Sequence, residues 1–254
     1  MADPQELFSL RQRVAIVTGA SSGLGARFAR VLADAGARVV LAARRREPLE
    51  RLAAELPGCM AVPCDVTVDE DLARLVDVTV ERYARIDVLV NNAGTTDPGR
   101  AEDIPPATFR STVEVNLTAA FVLSQLVARP MLAAGQGSIV NVASVHGLVA
   151  SAPNRQTAYA ASKGGLVNLT RELAVQWARN GVRVNALAPG YFPSELTSAM
   201  LEDQRSLDWI VRNTPMGRPG RHHELDGALL YLASDASTYV TGTILPVDGG
   251  WTAR

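Results

Sequence analysis

Seven short aliphatic runs punctuate this chain, and between them lie longer stretches with the spacing of helices. Residues 14–17 lead into a helical pattern at 24–35, 38–41 into 47–56, and 60–62 into 70–83. Residues 86–90 precede a helix starting near Pro106, and 139–142 precede one from about Thr157 to Arg179. Residues 182–186 and 244–247 supply two more strand-like runs, with helical stretches between them. Strands that alternate with helices pair in parallel, and the crossover helices cover both faces of the sheet. The pattern predicts an α/β fold: one doubly wound parallel sheet of about seven strands with helices on both faces. No repeat, low-complexity tract or long linker divides the 254 residues, a length one α/β unit commonly reaches. Residues 1–254 are therefore read as a single domain, with 1–12 as an N-terminal extension. In such sheets the ligand sits in the crevice beyond the carboxyl ends of the strands, so chemistry is expected just after strands.

The first strand ends in Thr18-Gly19-Ala20-Ser21-Ser22-Gly23-Leu24-Gly25. Glycines let the chain turn sharply and let a pyrophosphate approach the backbone N–H groups at the next helix's N-terminus. The spacing Gly-x3-Gly-x-Gly departs from the commoner Gly-x-Gly-x-x-Gly dinucleotide fingerprint, and a purely structural turn could use the same glycines. Its place between first strand and first helix favours the dinucleotide. About twenty residues further on, dinucleotide folds hold a ribose 2′-hydroxyl with an acid or a 2′-phosphate with an arginine. Here the second strand ends Leu41-Ala42-Ala43-Arg44-Arg45-Arg46, with no acid until Glu47. An exposed basic helix start is the bland reading, yet three cations at a helix N-terminus oppose its dipole. The balance favours phosphate binding, with Arg44 followed by an Arg45 whose side chain points away from it.

One lysine stands out. Of the 25 basic residues, Lys163 alone is lysine, and it lies four residues after Tyr159 in Tyr159-Ala160-Ala161-Ser162-Lys163. In a helix that spacing puts both side chains on one face. A chain that uses arginine for every other positive charge has kept an ammonium here. A phenol is a poor proton donor and acceptor at neutral pH until a nearby cation stabilises its phenolate. Lysine's compact ammonium can lie beside the phenol and still reach ribose hydroxyls, whereas arginine's planar fork cannot take the same shape. The alternative, a lysine snorkelling off a buried helix, does not account for its uniqueness.

Composition closes off other classes. A net charge of −1 and a pI near 6.3 leave no basic excess for nucleic acid or an anionic membrane. Cys59 and Cys64 are too few for a disulfide scaffold and read as two buried thiols in a reducing cytosol. His146, His222 and His223 lack metal-ligand spacing, so no metal site is implied. Residues 1–13 have no apolar core of signal-peptide length. The uncharged run 130–154 carries Gln136, Ser138, Asn141, Ser144, His146 and several glycines, which makes it a poor membrane span. A soluble, cytoplasmic protein is expected.

From residue 14 to 250 these motifs resemble the short-chain dehydrogenase/reductase family, a single-domain Rossmann fold. Gly19, Ser21, Ser22, Gly23, Leu24 and Gly25 fall in a segment that resembles its cofactor turn, and Asp65-Val66 resembles its adenine-pocket pair after the third strand. Asn91-Asn92-Ala93-Gly94 matches its signature after the fourth strand, and Pro189-Gly190 its nicotinamide-side turn. Asn116, Ser144, Tyr159 and Lys163 match its catalytic tetrad. The resemblance implies a tyrosine proton donor, a serine that orients the carbonyl and a lysine that lowers the tyrosine pKa. It also implies that Asn116 holds a water in a proton relay towards Lys163. Ser194 stands where the family usually has a threonine for the carboxamide, with the hydroxyl kept. Ala43 replaces the acid of NAD users and Arg44 follows it, which resembles an NADP(H)-preferring member able to use NAD(H) as the lesser cofactor. Taken singly, Ser144 could be a plain strand-end residue and Asn116 a helix-kink residue.

The resemblance implies an oxidoreductase that moves a hydride between the cofactor and a ketone or secondary alcohol. The opening Leu7-Phe8-Ser9-Leu10, Tyr191-Phe192 and the ending Val247-Asp248-Gly249-Gly250-Trp251 resemble sugar-acid dehydrogenases. Carrier-protein-linked 3-oxoacyl reductases share most of the motifs but tend to be basic before the fifth strand, where Ala133-Ala134-Gly135-Gln136-Gly137 is neutral. A lipophilic ketone, or a catalytically silent dinucleotide sensor, would fit the same fold. Ser144, His146 and Tyr191 are candidate substrate contacts, Arg155 reads as solvated surface, and residues 191–219 are expected to close over the substrate. Family resemblance implies a homotetramer, with the run 240–251 and the long helix ending at Trp177 as interface surfaces.

Overall fold

The computed structural model describes residues 3–151 and 155–253; residues 1–2 of the N-terminal extension, residues 152–154 of the uncharged run and residue 254 lie outside them. Each aliphatic run becomes a strand: β1 (Val14–Thr18), β2 (Arg38–Ala43), β3 (Met60–Pro63), β4 (Val88–Asn91), β5 (Gly137–Val142), β6 (Val182–Pro189) and β7 (Ile244–Val247). They form one sheet in the order β3-β2-β1-β4-β5-β6-β7, every pair parallel. The order reverses between β1 and β4, whose carboxyl ends at Thr18 and Asn91 open the ligand crevice of such sheets.

Because successive side chains of a strand point to opposite faces, each run feeds two cores. Ala15, Val17, Val39, Leu41, Val88 and Val90 pack under α2 (Gly23–Asp34), α3 (Arg46–Glu55) and α10 (Asp226–Ala233). Val14, Ile16, Val40, Ala42, Leu89 and Ile139 pack under α4 (Asp69–Tyr83), α6 (Ala119–Ala134) and α7 (Thr157–Trp177). A strand buried on both sides has to be aliphatic throughout, which is why the runs were readable. Before β1, residues 4–7 form the short helix α1 (Pro4–Leu7), and Leu10 is buried in the first core with its N–H donating to Ala35 O.

Within the expected helical stretches the structure adds detail. Helix α5 (Pro106–Val113) joins α6 through a π-helical turn at Glu114–Thr118. The segment 191–219 contains α8 (Ser198–Glu202) and α9 (Gln204–Asn213). The run long and apolar enough to cross a membrane, by length and composition alone, is Pro106–Ala134 rather than 130–154. Leu123, Val127 and Met131 of that run are buried against the sheet in the second core, as in a core helix. Cys64 is buried but Cys59 is only half-buried, a correction to the expectation of two buried thiols.

Candidate active site

The turn after β1 is held against the end of β4. Thr18 Oγ1 accepts from the N–H groups of Asn92 and Ala93, both at 3.0 Å, and Asn92 Nδ2 donates to Thr18 O at 2.9 Å. Gly19 has φ +65°, and a Cβ on it would meet Asn92 Nδ2 at 2.9 Å; one on Gly25 would lie 2.2 Å from Gly19 O. Glycine is demanded here by close backbone approach, in addition to any ligand. The N-cap of α2, Ser22, makes no side-chain cap. Its hydroxyl and that of Ser21 instead accept from the Arg45 guanidinium, which also pairs with Glu195 at 3.0 Å. Arg44 is exposed, and its charge acts on Asp65. Asp65 is held below the usual carboxylate range by hydrogen bonds from the Thr67 N–H and hydroxyl, with Arg44 adding to them. Val66 lines the crevice between β1 and β4 with Thr18, Asn91 and Ala93.

On the other half of the sheet, the tetrad residues converge. Ser144, following β5, opens a 3₁₀ turn at Val145–Gly147, and its hydroxyl accepts from His146 N–H at 3.1 Å. The same hydroxyl hydrogen-bonds the Tyr159 phenol. Lys163, one turn along α7, lies with its Nζ 5.7 Å from the Tyr159 ring centroid and donates to Val142 O at 2.7 Å. Burial holds the phenol above its usual pKa against the Ser144 hydrogen bond, and burial pushes the lysine down to about 8. Desolvation disfavours the phenolate, which is the effect a neighbouring cation has to offset, and the Lys163 ammonium uses one of its three donors on Val142 O.

Asn116 is 1% exposed within the π-helical turn. Its Oδ1 accepts from Thr95 N–H at 2.8 Å, while Nδ2 donates to Thr95 O at 2.9 Å and Ser162 Oγ at 3.0 Å. A Cβ on Gly94 would lie 3.4 Å from Asn116 Oδ1 and 3.8 Å from Lys163 Nζ, so Gly94 keeps the space above both residues open. At the end of β6, Gly190 N–H donates to Val247 O at 2.9 Å, and Ser194 Oγ stands 3.0 Å from Thr197 Oγ1.

Two supporting residues escaped the sequence reading. Asp97, 4% exposed, caps α7 from the loop after β4, accepting from Ala158 N–H at 2.9 Å and Tyr159 N–H at 2.8 Å. Gly147 lets the 3₁₀ turn touch α7, since a Cβ there would meet Lys163 O at 2.6 Å. Neither carried a signal beyond being an Asp and a Gly in a loop; their partners are distant in sequence or made of backbone. Beside the tetrad opens a cleft with an empty volume of about 450 Å³, lined by Ser144, His146, Tyr159, Gly190, Tyr191 and Thr197 among others. His146 and Tyr191 thus share a wall with Ser144. Arg155 is exposed, with its charge acting on Glu102. No cluster of three metal-ligating side chains occurs among the described residues.

Residues 19–252 match the profile of the family described as Enoyl-(Acyl carrier protein) reductase. A galactitol 2-dehydrogenase (L-tagatose-forming) from Cereibacter sphaeroides is 42% identical over 252 residues, covering 98% of this chain and 99% of that one. A gluconate 5-dehydrogenase from Burkholderia cenocepacia, solved in complex with NADP and tartrate, is 38% identical with a TM-score of 0.94, covering 99% of this chain and 100% of that one. A short-chain type dehydrogenase/reductase from Mycobacterium marinum superposes with a TM-score of 0.93 at 36% identity, covering 98% of this chain and 99% of that one. The chain belongs to the short-chain dehydrogenase/reductase family and is an oxidoreductase acting on CH–OH groups.

Proposed function

We propose that this enzyme interconverts a secondary alcohol and a ketone on a small hydroxylated substrate, using NADP(H) in preference to NAD(H). The observation that carries the reading is the meeting of the Ser144 hydroxyl, the Tyr159 phenol and the buried Lys163 at one cleft on the carboxyl edge of the sheet. Relatives named for galactitol and gluconate support a polyhydroxy substrate, and the one solved with NADP supports the cofactor.

The residues present fit a dinucleotide. The first turn of α2 offers backbone N–H groups with no side-chain cap over them, and Gly94 leaves room above Lys163. Gly19 to Gly25 would hold the pyrophosphate, Arg44 the 2′-phosphate, and Asp65 with Val66 the adenine. Asn92, Ala93 and Gly94 would line the cofactor's path, with Pro189, Gly190 and Ser194 on the nicotinamide side. A nicotinamide bound there supplies or accepts the hydride. Ser144 orients the substrate oxygen beside the phenol. Tyr159 gives its proton to that oxygen when a ketone is reduced, and takes the proton back in the reverse direction. A phenol held protonated by burial suits reduction; oxidation needs the phenolate, for which Lys163 is the cation within reach. Asn116 is assigned the water of a proton relay that ends at Lys163. With its side chain committed to Thr95 and Ser162, that water falls to the backbone of the π-helical turn, where bonding departs from the α-helical ladder.

The segment 191–219 is assigned to closure over the substrate, supported by Tyr191, Leu196, Thr197 and Met200 in the cleft wall. A cytoplasmic homotetramer is proposed, supported by the exposed Phe109, Phe121 and Tyr239 and by Val175, which is 79% exposed near the end of α7. Light scattering at micromolar concentration is expected to give four times the chain mass, and a monomer mass would exclude it. The description of the matching family profile keeps carrier-linked thioesters in view, but the neutral run before β5 gives an acidic carrier little to hold. Comparable kcat/KM for a carrier-bound 3-oxoacyl thioester and the best polar ketone would favour that second reading. The main test is Tyr159→Phe, which should retain fold and cofactor affinity while losing about 10²–10⁴-fold in kcat. Retention of more than about a tenth of the wild-type rate would remove Tyr159 from the role.

A further inference from the structure

The cleft contains two polar atoms that the proton transfer does not use and that the protein itself leaves unpaired. Among the described residues, Thr96 Oγ1 and His146 Nδ1 are the buried side-chain nitrogen and oxygen atoms without a hydrogen-bond partner. Both residues line the cleft beside Ser144 and Tyr159. Elsewhere the interior satisfies its polar groups: Asn91 Nδ2 donates to Asn141 Oδ1 and Ser124 Oγ, and Asn141 Nδ2 donates to Thr170 Oγ1. Folded proteins rarely leave such atoms unmatched, and two in one cleft point to partners that arrive with the ligand.

The chemistry of those partners follows from what surrounds them. His146 is 7% exposed and held in place, its Nε2 3.3 Å from the Tyr191 hydroxyl and its ring edge-on to both Tyr191 and Tyr159. Tyr191 in turn packs edge-on against Trp251 at 5.0 Å. The direction of Nδ1 is thereby fixed. Burial pushes the imidazole down to about 4, so at neutral pH the ring has no charge and Nδ1 is a single donor or acceptor. Thr96 offers a hydroxyl, which can do either. The rest of the lining, including Gln156, Leu196, Thr197 and Met200, carries no charge. Arg45 pairs with Glu195, Lys163 donates to Val142 O, and the exposed Arg155 is not part of the cleft lining. A carboxylate in this cleft would lose water without gaining a counter-charge.

We infer that Thr96 and His146 form a hydroxyl-reading subsite, and that the cleft takes neutral polyhydroxy alcohols and their ketoses in preference to carboxylates. The inference rests on the alcohol–ketone reading of the site and narrows its substrate class. A site built to pair with substrate hydroxyls discriminates sharply against compounds that leave its buried groups unmatched.

The test compares kcat/KM for an alditol, the aldonate of the same chain length and stereochemistry, and cyclohexanol, with NADP as cofactor. The alditol should exceed the aldonate by about tenfold or more. Thr96→Val should reduce the alditol value about tenfold more than the cyclohexanol value, with Thr96→Ser restoring it. Gln156→Arg should raise the aldonate relative to the alditol. An aldonate used as well as the alditol, or a Thr96→Val loss equal for all three compounds, overturns the subsite. Oxidation of cyclohexanol in the same assay would keep the alcohol-dehydrogenase reading standing in that event. If no alcohol is oxidised, that reading fails instead, and calorimetric titration of the alditol and aldonate into the enzyme–NADP complex decides the subsite separately. Tighter alditol binding supports it; equal, weaker or absent alditol binding overturns it.

Discussion

Helix α2 begins with its first amides uncovered by any side chain, whereas α7 begins with two amides already taken by the carboxylate of Asp97. Both helix ends carry the partial positive charge of the dipole and N–H groups with no partner inside the helix. One end answers with glycines, two serines and an arginine drawn across from β2; the other answers with a built-in anion from a loop far away in sequence. Under the proposed function, the difference separates a place that would receive an anionic ligand from a place that would hold a reacting group still. At the first, the protein keeps donors available. At the second, it uses them up so that the Tyr159 backbone cannot drift.

The largest effects are expected where the held group reacts. Lys163→Met should lower kcat by about 10²-fold or more while stabilising the fold at neutral pH. The sign follows from the lysine pKa, which burial moves from 10.5 to about 8. Between those values the unfolded chain binds more protons than the folded one, so stability rises with pH across that window and is lowest below it. At pH 7 the buried ammonium costs about 3 kcal/mol by the same linkage. Denaturant unfolding of both proteins across that pH range checks it: the gap should close as pH rises towards 10.5. A variant that is less stable than the parent at neutral pH would show that the Val142 hydrogen bond outweighs the burial.

Next comes the receiving end. Only the 2′-phosphate separates NADP from NAD, and Arg44 is the exposed cation at the close of β2, while Arg45 is engaged with Ser21, Ser22 and Glu195. A charge-assisted bidentate contact contributes about 1.5–3 kcal/mol, a preference on the order of ten- to a hundredfold. The double change Ala43→Asp, Arg44→Ala should therefore invert the cofactor preference measured as kcat/KM for each cofactor. A parent enzyme that uses NADH as well as NADPH would reduce the three arginines to a solvated helix start.

Legibility in the sequence divides along the same line. The strands were readable because a doubly covered sheet needs aliphatic side chains on both faces, and β1, β2 and β4 alternate between the two cores residue by residue. The turn after β1 was readable because close backbone approach at Gly19 and Gly25 admits no Cβ. Tyr159 and Lys163 were readable because one helical turn links them. What supports them was not. Asp97 meets α7 across 61 and 62 residues of sequence, and Gly147 matters through contact with Lys163 O, a backbone atom without a sequence signature. The π-helical turn leaves its mark only in hydrogen-bond pattern, so Asn116 could be named but not its grip on Thr95 and Ser162. The pairing of Arg45 with Glu195 spans 150 residues, a partner that the basic run after β2 could not announce.

The smallest effects test the comparison itself, by removing one side chain from each helix start. Asp97→Ala leaves two buried N–H groups of α7 without acceptors, and losing a cap of this kind costs about 1–3 kcal/mol. For a chain of this length that lowers the melting temperature by about 2–4 °C per kcal/mol. Asp97→Asn keeps one amide oxygen as acceptor and should fall between the variant and the parent. Because Tyr159 N–H is one of the two groups released, kcat should drop about tenfold in Asp97→Ala through misplacement of the phenol, with cofactor affinity little changed. Ser22→Ala should behave in the opposite way. The Ser22 hydroxyl caps nothing in α2 and instead hydrogen-bonds the exposed Arg45 and Glu195 side chains, so stability should stay within about 0.5 kcal/mol of the parent. The phosphate end, by contrast, should feel the change as weaker NADP binding. Melting curves and cofactor titrations on the two variants give four numbers. Equal thermal losses, or an Asp97→Ala enzyme with full kcat, would mean that the two helix starts are finished alike and that the distinction between receiving and holding is wrong.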